Sequence, residues 1–196
     1  MSNRRALSKR DQKRTEIISQ ALMEFCLSGI EGALMAEIAR KSGITRRTLY
    51  TYYPDKETLA DDVYIKNLGN LFGRMTTLMC GDGDTRSLIS DSLKAYLETR
   101  RTHPEFIYYD YIYHTYCAAK KKNPQATLAY SQALEALKPA RKDSPVKAAR
   151  TLHLYFCYLQ KSVLLSVQGG DLFSDKMDEE DQATLDFMLE CVKALG

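Results

Sequence analysis

The chain has 196 residues, 44% of them hydrophobic and 27% charged, enough length and apolar content to bury a real core as one large domain or two small ones. No apolar run reaches the roughly 18 residues that a membrane span needs, and no continuous hydrophobic stretch follows the basic start Met1-Ser2-Asn3-Arg4-Arg5, so a cytoplasmic protein with no membrane partner is expected. The formal net charge of +3 is uneven: through Lys56 there are eleven Lys and Arg against six Asp and Glu, and beyond it seventeen against nineteen, which turns a basic front end toward a polyanion.

Almost every segment carries helical periodicity, and strand-like alternation between turn residues is missing, so the expected fold class is all-α with about nine helices. A first helix from about Lys9 to Leu27 sets Ile17, Ala21 and Phe25 in one apolar row beside Ile18, Leu22 and Cys26, and Gly29 supplies its stop. Leu34, Met35, Ile38 and Ala39 make a short amphipathic helix ending near Gly43. Thr45 is placed to cap a third short helix, with Leu49, Tyr52 and Tyr53 as buried or half-buried contacts. Pro54-Asp55-Lys56-Glu57 marks a break and a restart, where Asp55 can cap a long helix carrying Leu59, Val63, Leu68, Phe72, Met75 and Met79.

Gly81-Asp82-Gly83-Asp84 is the most linker-like stretch. Helices are expected from about Thr85 to Arg101, after Pro104, and over about 124–137, 145–167 and 179–195. The helix after Pro104 contains a tyrosine-rich run from Phe106 to Tyr116. Tyr and Ile favour strand locally, but the chain offers no partner strands, so helix is preferred.

The chemistry of catalysis is not written into the chain. Cys26, Cys80, Cys117, Cys157 and Cys191 are odd in number and far apart, and His103, His114 and His153 stand at no metal-ligand spacing to them. Free thiols are expected, with no disulfide framework, metal site or cofactor. No Gly-rich phosphate loop, GxSxG elbow or HExxH occurs, so no catalytic residues are assigned and the chain is not expected to be an enzyme. A helical small-molecule-binding protein, or an enzyme on a helical scaffold, remains the alternative to a polyanion-binding reading.

The two short helices joined through Lys41-Ser42-Gly43-Ile44 have the dimensions of a helix-turn-helix. A small residue at the turn, Gly43, lets the helices cross closely, and Ile38, Ala39, Ile44 and Leu49 can fix the crossing angle. Arg46 and Arg47 then stand in the first turn of the second helix, where side chains reach base edges in a major groove. Thr48, Tyr50, Tyr52 and Lys56 around them can donate to phosphates. Such a turn also joins helices in proteins that never meet DNA, so geometry alone leaves both readings open.

The stretch from Gly29-Ile30-Glu31 through Asp55-Lys56-Glu57-Thr58-Leu59 resembles the DNA-binding domain of TetR-type transcriptional regulators. Ile38-Ala39, Ser42-Gly43-Ile44-Thr45, Thr48-Leu49-Tyr50-Thr51-Tyr52-Tyr53 and Asp55-Lys56-Glu57-Thr58-Leu59 carry it, in order and spacing. The resemblance covers about the first third of the chain. It implies a DNA-binding domain over residues 1–56 and a helical ligand-binding and dimerisation domain over 57–196. Within the first, it implies that Thr45 caps the recognition helix and meets a phosphate, and that Arg46 and Arg47 read bases with help from Thr48. Tyr50 would meet a base methyl or phosphate, Tyr52 a phosphate, and Lys56 would clamp the DNA backbone, with Tyr53 in the core. The chain departs from the family where Ala33-Leu34 replace the usual threonines and Ala36 stands at a position that often touches DNA.

The resemblance further implies a homodimer and a small-molecule effector. Stripes at Leu152, Tyr155 or Phe156, Leu159 and Val163, and at Leu185, Met188, Val192 and Leu195, suit a four-helix dimer interface or internal packing. Tyr108, Tyr109, Asp110, Tyr113 and His114 are candidates to line an effector pocket, where aromatic faces beside a carboxylate suit a flat or cationic ligand. The same rings could equally be core, with their hydroxyls hydrogen-bonded.

Overall fold

The computed structural model describes residues 8–79 and 85–122, together with the helical residues Ala183, Asp186 and Glu190. Six helices fill the two continuous stretches: α1 (Lys9–Gly32), α2 (Met35–Lys41), α3 (Arg46–Tyr52), α4 (Lys56–Met79), α5 (Thr85–Thr102) and α6 (Pro104–Ala119). The linker-like stretch 81–84, the expected helices over 124–137 and 145–167 and the dimer stripes lie outside the described residues. Among those described there is no strand, and no helix is long and apolar enough to cross a membrane.

Local sequence explains the helix ends. Ser8 caps α1 by accepting from the Asp11 amide at 3.1 Å. The chain leaves helical geometry at Gly29 (φ 68°, ψ 165°), and one more turn then brings Ile30 into the core. That backbone conformation is open essentially to glycine alone. At the end of α2, Gly43 takes φ 64° while its amide donates to Arg40 O and the Ile44 amide reaches Ala39 O at 3.0 Å. This paired closure is a Schellman motif, and it sets the tight turn into α3. Asp55 starts α4 by accepting from the Thr58 amide at 2.7 Å, and Pro104 opens α6 at a position where its missing N–H costs nothing.

Packing runs without a break from the amino-terminal helices into α6. Ile17, Ala21 and Phe25 of α1 meet Ile38 and Ala39 of α2, Leu49 of α3, and Leu59 and Val63 of α4, in one buried cluster. The same cluster continues through Leu68, Leu71 and Met75 to Leu88 and Leu97 of α5 and to Ile107, Tyr109, Tyr113 and Cys117 of α6. An ion pair at 2.6 Å between Glu24, itself buried, and Lys41 ties α2 to α1. The boundary expected between residues 56 and 57 falls at the start of α4.

Adding a methyl at Gly29 would meet no atom within 4 Å, so Gly29→Ala isolates the backbone cost, expected at about 1–3 kcal/mol in urea unfolding. Lys121 holds φ 55° just past α6, an arrangement that disfavours any residue with a Cβ. Lys121→Gly is therefore expected to raise stability by about 0.5–1 kcal/mol in the same measurement.

Candidate nucleic-acid interface

The third helix is short, so one buried residue decides how its faces point. Leu49 is fully buried against α1 and α2. At about 100° per residue, Arg47 and Thr51 each lie within about 20° of the direction opposite Leu49. Arg46 and Tyr50 take one flank, and Thr45, Thr48 and Tyr52 the other. The burial agrees: Arg46, Arg47, Tyr50 and Thr51 are exposed, while Thr48 and Tyr52 are half-buried.

Each flank has internal order. Thr45 caps α3 by accepting from the Thr48 amide at 3.1 Å, and the two hydroxyls lie 2.8 Å apart. The Arg46 guanidinium sits over the Tyr50 ring at 5.6 Å and donates to the Tyr50 hydroxyl at 3.4 Å. Tyr52 lies beneath Arg10 of α1 at 5.8 Å. Thr51, which the sequence reading left out, sits in the middle of the exposed face with its hydroxyl donating to Thr48 O at 2.7 Å. Its signal was available: it stands two residues from a core leucine, as Arg47 does.

Lys56 lies at the foot of this surface, but its ammonium donates to Glu31 O and, at 2.9 Å, to Ala33 O. Two of its three donors thus close the α1–α2 junction. Arg14 is likewise held inward, donating to the Tyr53 hydroxyl at 3.2 Å and to Asp62 at 3.0 Å. The Tyr53 phenol donates to Asp62, and burial raises its pKa. Where the family's threonines are missing, Leu34 caps α2 without a side-chain hydrogen bond and is 61% exposed, and Ala36 is exposed beside it.

The tyrosine-rich run forms α6, and its Tyr109, Tyr113 and Tyr116 turn toward α1 and α4. Tyr109 and Tyr113 are buried. The Tyr109 hydroxyl donates to Ala60 O at 2.9 Å, Tyr113 to Asp61 at 2.6 Å, and Tyr116 to Glu57 at 3.0 Å. In the reverse direction Tyr64 of α4 donates to buried Asp110 at 2.6 Å, and His114 lies 3.4 Å from the same carboxylate. Tyr64 stacks on Tyr113 at 4.3 Å, and Phe25 of α1 on Tyr109 at 5.8 Å. Tyr108 and His114 are half-buried. Cys26 donates to Glu105 O, and burial pushes its thiol up to about 12, so it stays a neutral packing group. Among the described residues, no cluster of three or more His, Cys, Asp or Glu is arranged to hold a metal.

Salt links close the end of the seam: Lys122 pairs with Glu57, and Lys120 with Glu31 at 2.6 Å. Lys122 and then Tyr116 hold the Glu57 carboxyl below its ordinary range, and Lys120 does the same for Glu31. A carboxylate whose pKa is depressed by folding stabilises the fold above its unfolded pKa, and that contribution fades as pH falls through the depressed value. Stability is thus expected to lose the seam's share below about pH 4.5, with a shallower fall in Glu57→Gln, in urea unfolding from pH 7 to 3. Parallel curves for the two proteins would remove Glu57 from this role.

The profile of the bacterial regulatory proteins of the tetR family matches residues 17–63, from the buried row of α1 into α4. Over 82 residues the chain is 27% identical to the HTH-type transcriptional repressor KstR2 of Rhodococcus jostii (strain RHA1), a match spanning 42% of this chain and 40% of that repressor. Similar folds extend much further. The fatty acid degradation regulator FadR of Bacillus halodurans aligns over 96% of each chain with a TM-score of 0.71 at 15% identity. A TetR family transcription regulator of Marinobacter aquaeolei aligns over 93% of this chain and 96% of its own, at 0.70 and 19%. A TetR variant of Acinetobacter baumannii AYE in complex with minocycline aligns over 97% and 98%, at 0.62 and 18%. At these identities the structural likeness is one of fold, an all-α chain with an amino-terminal helix-turn-helix and a helical carboxy-terminal domain. The first helices thus carry the signature of the tetR family's amino-terminal region, on a chain whose fold is that of the TetR-type structures compared.

Proposed function

We propose that the protein is a ligand-responsive transcriptional repressor that binds a palindromic operator as a homodimer in the cytoplasm, without catalysing a reaction. The observation that carries this reading is the face of α3 opposite Leu49, where Arg47 and Thr51 are flanked by Arg46 with Tyr50 and by Thr45 with Thr48. Arg47 at the centre is the principal base reader, since a guanidinium pairs bidentately with a guanine edge. Arg46, arranged on Tyr50, reads or steers from the flank with help from Thr48. Thr45, Tyr50 and Tyr52 meet phosphates, and Lys56 offers its remaining N–H to the backbone while closing the α1–α2 junction.

One helix-turn-helix contacts too little DNA for tight specific binding, which two half-sites and a two-fold dimer supply. The effector reading rests on α6: Tyr108, Tyr109, Asp110, Tyr113 and His114 lie on the helix bonded to the first turns of α4, so a ligand that shifts them bears on the DNA-binding head. The minocycline complex of a similar fold supports this reading.

Selection of sites from a random DNA library by the full-length protein is expected to return a palindrome whose half-site centres lie about one helical turn, or a multiple of it, apart. Arg47→Ala and Arg46→Ala are each expected to weaken the selected site by about 1–3 kcal/mol, with the larger loss of base preference in Arg47→Ala. A selected pool without symmetry, or unchanged preference in the double variant, would overturn the reading.

A further inference from the structure

Thr51 is an exposed residue on the centre line of α3 to which the reading above gives no part. It lies one helical turn beyond Arg47, a separation of about 6 Å on the helix surface, which spans one to two base-pair steps of about 3.4 Å. Its hydroxyl proton is committed: Oγ1 donates to Thr48 O at 2.7 Å. The hydroxyl is therefore not free to donate to a guanine edge or a phosphate. The uncommitted part of the side chain is its methyl group, on a residue that is exposed and belongs to no core cluster. A β-branched residue also weakens a helix slightly relative to straight-chain ones, and nothing inside the protein is gained from this methyl.

The chemistry that suits such a group is another methyl. In the major groove only thymine presents one, at C5, and apolar contact with it is how a threonine methyl distinguishes thymine from the other bases. We propose that Thr51 is a specificity-determining residue, its methyl packing on the 5-methyl of a thymine one or two base pairs from the guanine read by Arg47. This rests on the operator-binding reading above and adds a second base to each half-site. The pairing of Arg46 with Tyr50 supports the division of labour, because it draws the neighbouring guanidinium to the flank and leaves the centre line to Arg47 and Thr51.

The test uses full-length protein and the site it selects from a random library. Each thymine of the half-site is replaced in turn by deoxyuridine, which removes the 5-methyl and nothing else. At one position per half-site the wild type is expected to bind about threefold to fivefold more weakly, the worth of one buried methyl. Thr51→Val, which keeps the methyl and loses the hydroxyl, should retain that sensitivity. Thr51→Ser, which keeps the hydroxyl and loses the methyl, should bind thymine and uracil sites alike. A selected site at which no deoxyuridine effect disappears in Thr51→Ser overturns the assignment and leaves the repressor reading standing. Failure of the folded protein to select any site overturns both.

Discussion

The first turns of α4 are shared by two neighbours, and the rest of the described structure depends on that sharing. Leu59 and Val63 face the core of the helix-turn-helix. Adjacent residues on a helix point about 100° apart, so Asp62 meets Arg14 and Tyr53 on one side while Asp61 meets Tyr113 on another. Glu57, the Ala60 carbonyl and Tyr64 complete the α6 side. A densely packed element held by both neighbours cannot yield to one without disturbing the other. A displacement of α6 would therefore bear on α4 and on the helix-turn-helix core that Leu59 and Val63 join.

The bonds of this seam hold α6 firmly to α4. Four phenols meet a carbonyl or carboxylate, and burial holds Tyr64 and Tyr109 neutral by raising their pKa values well above the usual phenol range. They remain donors at any physiological pH. Phenol-to-carboxylate bonds are directional and charge-assisted, and stacking between Tyr64 and Tyr113 fixes the rings that make them. The lysines after α6 extend the hold onto Glu31 and Glu57, beside the junction that Lys56 closes. The back of the helix-turn-helix is thus organised largely by groups from α4 and α6.

Much of the head was legible from residues alone, because its determinants are local. The break at Gly29, the turn at Gly43 and the caps at Thr45 and Asp55 each need groups only three to five residues apart, and each lies where its residue type predicts. The six described helices follow the periodicity for the same reason. Thr51 was equally open to view through its spacing from Leu49, but a small uncharged side chain carries little chemical signal of its own. The missing threonines at Ala33 and Leu34 were legible too, and the structure agrees in giving α2 no side-chain cap.

What the sequence determined by itself was the all-α class, the order of the helices and the face of α3 that meets solvent, since these follow from backbone geometry and apolar spacing within one turn or two. The tertiary structure alone decided the partners of the long polar side chains. Nothing near Lys56 in sequence says that its ammonium closes the carbonyls of Glu31 and Ala33, and nothing near Tyr113 or Tyr116 names carboxylates more than fifty residues earlier. A flexible cation or a phenol serves a phosphate, a ligand or a buried carbonyl equally well. Which of these it meets is set by the distance between elements, and that distance exists only once α1, α4 and α6 have packed.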